Sequence, residues 1–264
     1  MPHMSGKVPS LDQVSRATSS GKRDAQEDRF VTLAIPGGIA LAVMDGHRGL
    51  DVAEYCAKEL PGQMKGIDRK HIRRSLECVI KRLCTDTKGM SAGSTISIAC
   101  ILQKVVHIAY LGDSPIIVRT KNGGFFVARD HDVATNAAER EAAIARGGRY
   151  KNDGYIRDGS PRNGLQITRA LGDAHLGPII LREAEVHTVP LGPKSVVIVC
   201  TDGILNSRYR EFERLATEAL LIVEEERENP AGKLIEWAYR STDNKTALVW
   251  KANNIGTLPV CLVG

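Results

Sequence analysis

Apolar positions along the chain follow two periods. Short runs rich in Val and Ile occupy 29–35, 39–44, 94–102, 105–111, 116–119, 125–128, 195–200 and 246–251, and their length and composition predict strands. Turn-forming stretches such as Pro36-Gly37-Gly38 and Lys121-Asn122-Gly123-Gly124 separate neighbouring runs, which favours antiparallel hairpins over crossover units. Elsewhere the period lengthens to that of a helix. In 68–83 the residues Ile72, Leu76, Val79, Ile80 and Leu83 share one face, and in 210–226 Phe212, Leu215, Ala219, Ile222 and Val223 do the same. Further helices are predicted over 51–60 and 231–240, the latter opened by Asn229-Pro230. Blocks of strands alternating with blocks of helices predict an α+β fold of packed antiparallel sheets with helices outside.

The segment 146–164 fits neither period: Gly147, Gly148, Gly154, Gly159 and Pro161 lie among charges, and a long loop is expected there. Composition narrows the function classes. The 264 residues are 42% hydrophobic and 25% charged, as in an ordinary globular chain, and 36 Lys and Arg against 31 Asp and Glu leave a net charge of +5. That excess is spread along the chain, so nucleic-acid binding is not indicated. No apolar run approaches the roughly 20 residues of a membrane helix, and residues 1–16 lack the apolar core of a secretory signal, so a cytoplasmic or nuclear location without membrane attachment is expected. Met1-Pro2-His3-Met4 resembles vector sequence. Six cysteines include no Cys-x-x-Cys pair and the seven histidines show no metal-type pairing, so zinc is not expected and any metal should be held by oxygen.

The acids carry the chemistry. Asp45, Asp113 and Asp202 each follow a predicted strand, Glu27 and Asp28 precede another, and Asp243 precedes the last. Asp45-Gly46, Gly112-Asp113 and Asp202-Gly203 let the backbone approach a ligand, and a carbonyl is itself a ligand for a hard cation. Any one Asp beside Gly is ordinary turn chemistry. Gathered at one sheet edge, however, these carboxylates would repel one another without a cation, and that convergence would imply Mg²⁺ or Mn²⁺.

Eight motifs in order then resemble the metal-dependent serine/threonine protein phosphatases of type 2C: Arg23-Asp24-Ala25-Gln26-Glu27-Asp28, Val43-Met44-Asp45-Gly46-His47-Arg48-Gly49, Gly93-Ser94-Thr95, Leu111-Gly112-Asp113-Ser114, Asp130-His131, Thr168-Arg169-Ala170-Leu171-Gly172-Asp173, Cys200-Thr201-Asp202-Gly203-Ile204 and Asp243-Asn244. The resemblance spans Arg23 to Trp250. It implies a β-sandwich of two antiparallel sheets flanked by pairs of helices, and hydrolysis of phosphoserine and phosphothreonine in phosphorylated protein substrates. It also implies two Mg²⁺ or Mn²⁺ ions, bridged by Asp45 and a water, with Asp202 and Asp243 on one and Glu27 and the Gly46 carbonyl on the other. Asp113 with Asp202 would hold a weaker third ion. Asp28 would order waters behind the ligands. Arg23 would grip the phosphoryl group and His47 would protonate the leaving oxygen. Thr168, Arg169 and Asp173 are expected to be architectural, and 146–164 takes the place of the family's variable flap.

Three positions depart from that family's pattern. Arg48 stands where glycine is usual and is expected to add a phosphate contact, act on His47 by charge, or crowd the backbone. Pro115 replaces an arginine and Asp132-Val133 replaces Lys-Pro. No expected metal ligand is lost, so a working monomeric enzyme is the leading expectation. A catalytically weak or inactive pseudophosphatase serving as a protein-binding module is the alternative, and a small-molecule phosphoesterase a third. The expected organisation is an N-terminal extension over 1–16 and a single catalytic domain over 17–264.

Overall fold

The computed structural model describes residues 8–252 apart from 129, 207 and 210; Met1 to Met4 and Cys261 lie outside the described residues. The first elements are β1 (Val14–Ser19), β2 (Arg29–Ile35), β3 (Gly38–Met44), β4 (Gly46–His47), α1 (Asp51–Met64) and α2 (Ile72–Thr87). There follow β5 (Gly93–Ser94), β6 (Ile96–Leu102), β7 (Val105–Leu111), β8 (Ile116–Arg119), β9 (Phe125–Val127) and α3 (Ala137–Ala145). The remainder comprises β10 (Arg149–Tyr150), β11 (Ile156–Arg157), β12 (Gly164–Leu165), β13 (Leu171–Gly172), β14 (Glu185–Pro190), β15 (Val196–Cys200), α4 (Phe212–Glu225), α5 (Pro230–Trp237) and β16 (Lys245–Lys251).

Two five-stranded antiparallel sheets, β1-β16-β15-β8-β9 and β14-β7-β6-β3-β2, form a sandwich. The two-residue period of each strand builds three apolar layers from two sheets. In β3, Ile39, Leu41 and Val43 point between the sheets, whereas Ala40, Ala42 and Met44 pack outward against α1 and α2 through Cys56, Leu60, Leu76 and Leu83. In the other sheet Val197, Val199, Leu248 and Trp250 fill the interior while Ile198, Cys200, Ala247 and Val249 meet α4 and α5. The α+β sandwich with flanking helix pairs is therefore as expected. Pro61 lies inside α1, which runs on to Met64 instead of stopping at residue 60.

The differences fall at the edges. β1 and β14 are outer strands with polar side chains on one face, and neither shows an apolar run. Val14, Ser15 and Arg16 pair with Trp250, Val249 and Leu248, so these three belong to the sandwich and not to an extension preceding it. The segment expected to be a long loop instead carries a small antiparallel sheet, β10-β11-β12, over a separate apolar cluster that includes Val133, Ala143, Ile156 and Ile180. α3 supports it, capped by Asn136, whose side chain accepts from the Glu139 N–H.

Candidate active site

The carboxylates meet where strands of both sheets end. Asp45 follows β3, Asp113 follows β7, Asp202 follows β15 and Asp243 precedes β16; with Glu27, Gly46, His47 and Arg48 they line one cavity of about 520 Å³. Arg23 and Asp24 stand at its rim, and Tyr155 of the flap with Leu165 and Gln166 just after it complete the wall.

Backbone and hydroxyl contacts hold the acids in place. The Asp45 N–H donates to Thr95 Oγ1 at 3.0 Å, the Thr95 N–H donates to the Asp45 carbonyl at 2.9 Å, and Thr95 Oγ1 bonds Ser114 Oγ at 2.7 Å. The Gly-Ser-Thr and Gly-Asp-Ser segments thus meet behind Asp45. Asn244 performs the same service for Glu27: its Oδ1 accepts from the Glu27 N–H at 2.8 Å and its amide donates to the Ser20 and Ala25 carbonyls. Glu27 Oε1 then accepts from the Gly49 N–H at 2.8 Å. Glycines permit these approaches. A Cβ at Gly46 would fall 2.6 Å from the Glu27 carbonyl oxygen, and one at Gly203 would fall 1.8 Å from that of Asn244.

Burial and mutual repulsion dominate the electrostatics. Burial, then the charges of Asp28 and Asp202, pushes the Asp45 carboxyl well above the ordinary carboxylate range. Asp113 is raised likewise by burial and by Asp202, and Asp202 by burial and by Asp243. Asp28 rises from 3.8 to about 7 by burial, although Thr246 and Thr201 donate to its Oδ2 at 2.8 and 2.9 Å. Its other oxygen, Oδ1, is buried without a hydrogen-bond partner. Arg23 pairs with Asp243 at 2.9 Å in the cavity wall, with the arginine side chain 60% exposed. Buried acidic oxygens, an orphan acceptor and so little cationic charge are a donor set suited to hard divalent cations, so the residues present fit Mg²⁺ or Mn²⁺.

Arg48 adopts φ 60, the left-handed region that favours glycine. Its guanidinium reaches His175 Nε2 at 2.6 Å and the carbonyls of Arg162 and Gly164 at 3.3 and 3.5 Å. Its contacts are therefore with the flap and the segment after β13. Asp173 differs from the architectural expectation: its buried Oδ2 lies 2.8 Å from His47 Nε2. The sequence signal for it was the Gly-Asp that ends its motif, but its partner stands 126 residues away.

A second acidic cluster lies outside this cavity. Ligand atoms of His131, Glu139 and Glu185 fall within 4.8 Å of one another. Arg169 already fills it, donating to both Glu139 oxygens at 3.1 and 2.5 Å and to Glu185 at 3.2 Å, so this cluster carries its own cation. Here Arg169 keeps the expected bracing role.

A family model described as protein phosphatase 2C matches residues 36–211, two thirds of the chain. The chain belongs to the protein phosphatase 2C family. It is 31% identical over 216 residues to protein phosphatase fem-2 of Caenorhabditis elegans, covering 72% of this chain and 47% of that protein. Against probable protein phosphatase 2C 2 of Arabidopsis thaliana the identity is 29%, covering 70% and 51%. The chain thus spans about half the length of these two relatives. Among solved structures, a C. elegans sex-determining protein superposes with a TM-score of 0.72 at 27% identity, covering 91% of this chain and 64% of that one. Serine-threonine phosphatase 2C from Toxoplasma gondii, at 23% identity with a TM-score of 0.68 and coverage of 89% and 93%, shares the fold. This phosphatase 2C fold places the acids of both sheets at one edge, and no helix among its described residues is long and apolar enough to cross a membrane.

Proposed function

We propose that this chain hydrolyses phosphoserine and phosphothreonine in proteins with Mg²⁺ or Mn²⁺ held in the acidic cavity. The observation that carries the reading is the crowding of Asp45, Asp113 and Asp202 with raised proton affinity in a cavity whose wall offers Arg23 as a paired cation. Asp45, Asp202, Asp243, Glu27 and the Gly46 carbonyl are the groups for two cations, and Asp113 with Asp202 for a weaker third. When bound, such ions supply positive charge to the phosphoryl oxygens and a source of nucleophilic water.

The chain's own residues do the rest. Asp28 offers its free Oδ1 to water behind the ligands. The Arg23–Asp243 pair is solvent-exposed and therefore weak, which leaves the planar guanidinium available to a phosphoryl group entering from the rim. His47, in the cavity wall, gives a proton to the seryl or threonyl oxygen, too basic a group to leave readily unprotonated.

Phosphate release from a phosphothreonine peptide tests this, measured with Mn²⁺, with Mg²⁺ and with chelator. Metal-dependent release is expected, and Asp202→Asn should lower it at least about a hundredfold. A parent silent with both metals would replace the enzyme with the binding-module alternative.

A further inference from the structure

The strands β13, β5 and β4 form a three-stranded sheet of their own beside the cavity. Gly93, in the central strand, faces His47 on one side and Gly172 on the other. This register brings the side chain of His47 and that of Asp173, the residue after β13, across the glycine. A Cβ at Gly93 would lie 2.2 Å from both His47 Nε2 and Asp173 Oδ2, so the absence of a side chain there is what lets the two meet.

Asp173 occupies an uncommon backbone conformation. It has φ 50, in the left-handed region, and its side chain is fully buried. Its backbone is pinned by its own N–H to the Ala92 carbonyl and by the Ala174 N–H to the Met90 carbonyl, each at 3.0 Å. His47 is its side-chain partner at 2.8 Å, and its second oxygen, Oδ1, is buried without one. A buried carboxylate in a strained backbone position, facing an imidazole through a gap that only glycine leaves, is organised around that imidazole.

We propose that Asp173 is a positioning residue for His47: it holds the ring by Nε2 and leaves Nδ1 as the nitrogen that serves the leaving group. The proposal rests on the protein phosphatase reading above. In the step it supports, the oxygen of water bonds to phosphorus and the ester P–O bond breaks, its electron pair staying on the seryl or threonyl oxygen. That oxygen takes the proton from Nδ1. The proton lost by water restores the imidazolium, and Asp173 remains a carboxylate throughout, as an orienting acid does beside a catalytic histidine.

A leaving group that needs no proton separates this role from a structural one. With Mn²⁺ present, kcat is measured for a phosphothreonine peptide and for p-nitrophenyl phosphate in the parent, Asp173→Asn, His47→Gln and the double variant, with a melting curve for each. Asp173→Asn should lower the peptide kcat about tenfold or more and the aryl phosphate kcat far less, and should leave the ratio unchanged when His47 is already glutamine. Equal losses on both substrates, or no loss on the peptide, would overturn the proposal. Should Asp173→Asn not fold, Gly93→Ala forces the pair apart while keeping both side chains and must show the same skew towards the aryl substrate. A parent inactive on both substrates would instead sink the phosphatase reading and this proposal with it, an outcome distinct from an active parent whose variants lose both rates together.

Discussion

The two acidic clusters of the molecule solve the same electrostatic problem in opposite ways. Around Arg169, the carboxylates of Glu139 and Glu185 close on a guanidinium, and Tyr110 donates to Glu185 at 2.7 Å. His131 and Tyr110 hold the carboxylate of Glu185 down at about 2. In the cavity the carboxylates face one another, and burial pushes Asp45, Asp113 and Asp202 upward. One cluster carries its cation in the chain, and the other gathers carboxylates that a cation from solution would compensate. They are also joined. His131 Nδ1 accepts from the Gly112 N–H at 3.0 Å and the His131 N–H donates to the Gly112 carbonyl at 3.2 Å, so the compensated cluster anchors the turn that carries Asp113.

Removing the internal cation is the most damaging way to test this contrast. Arg169→Met strands Glu139 and Glu185 beside each other in a mostly buried setting, and breaking such a pair costs about 3 kcal/mol. Denaturant unfolding in chelator at neutral pH should show that loss. By contrast Asp202→Asn, which relieves repulsion in the other cluster, should raise stability under the same conditions. A gain for Arg169→Met or a loss for Asp202→Asn would erase the distinction between the clusters.

The pH dependence should then split in two. The proton affinity of Asp28 is raised on folding, from 3.8 to about 7, so its contribution is fully present below pH 4 and is lost as pH rises through 7. That of Glu185 is lowered, from 4.5 to about 2, so its contribution is present above pH 4.5 and is lost as pH falls through 2. Melting temperature in chelator should therefore decline from pH 4 towards pH 8, and Asp28→Asn should flatten that decline. Mn²⁺ should flatten it as well, because a cation favours the charged carboxylates. An unchanged slope in Asp28→Asn would place the effect elsewhere.

Legibility in the sequence follows burial. β3, β6 and β15 are covered on both faces, so their residues are apolar apart from Ser97, whose hydroxyl donates to the Ser114 carbonyl, and they stand out. β1 reads Val-Ser-Arg-Ala-Thr-Ser, buries only Val14, and owes its place to pairing with β16 along its whole length. α3 was missed although Asn136 and Glu139 have the spacing of a helix start, because its run of alanines lacks an apolar stripe. The flap strands are two residues each and offer no period at all. In the cavity Asp45, Asp113 and Asp202 are legible because a turn glycine marks each, whereas Glu27, Asp28 and Asp243 stand out only by their place before a strand. Asp173 was legible as a motif residue but not as the partner of His47, since a contact across 126 residues depends on the register of three short strands around Gly93.

The smallest predicted effect concerns Arg48, where two terms oppose each other. Glycine would relieve the left-handed φ of 60, a gain of about 1 kcal/mol, and would lose the exposed contacts to His175, Arg162 and Gly164, worth about as much. Arg48→Gly should therefore leave global stability within about 1 kcal/mol of the parent. Its effect should be local. Gly164 opens β12, which closes the cavity wall, and Arg162 lies just before it, so amide exchange over 149–165 should quicken while exchange in β3 and β15 stays the same. The guanidinium donates to His175 Nε2, which requires that nitrogen to be unprotonated, and burial followed by the charge of Arg48 lowers the proton affinity of His175 accordingly. Acidification should then loosen the same segment in the parent and add nothing in Arg48→Gly. Identical flap exchange in the two proteins across pH would show that the flap is held by its own apolar cluster, through Ile156 and Ile180, and not by the arginine.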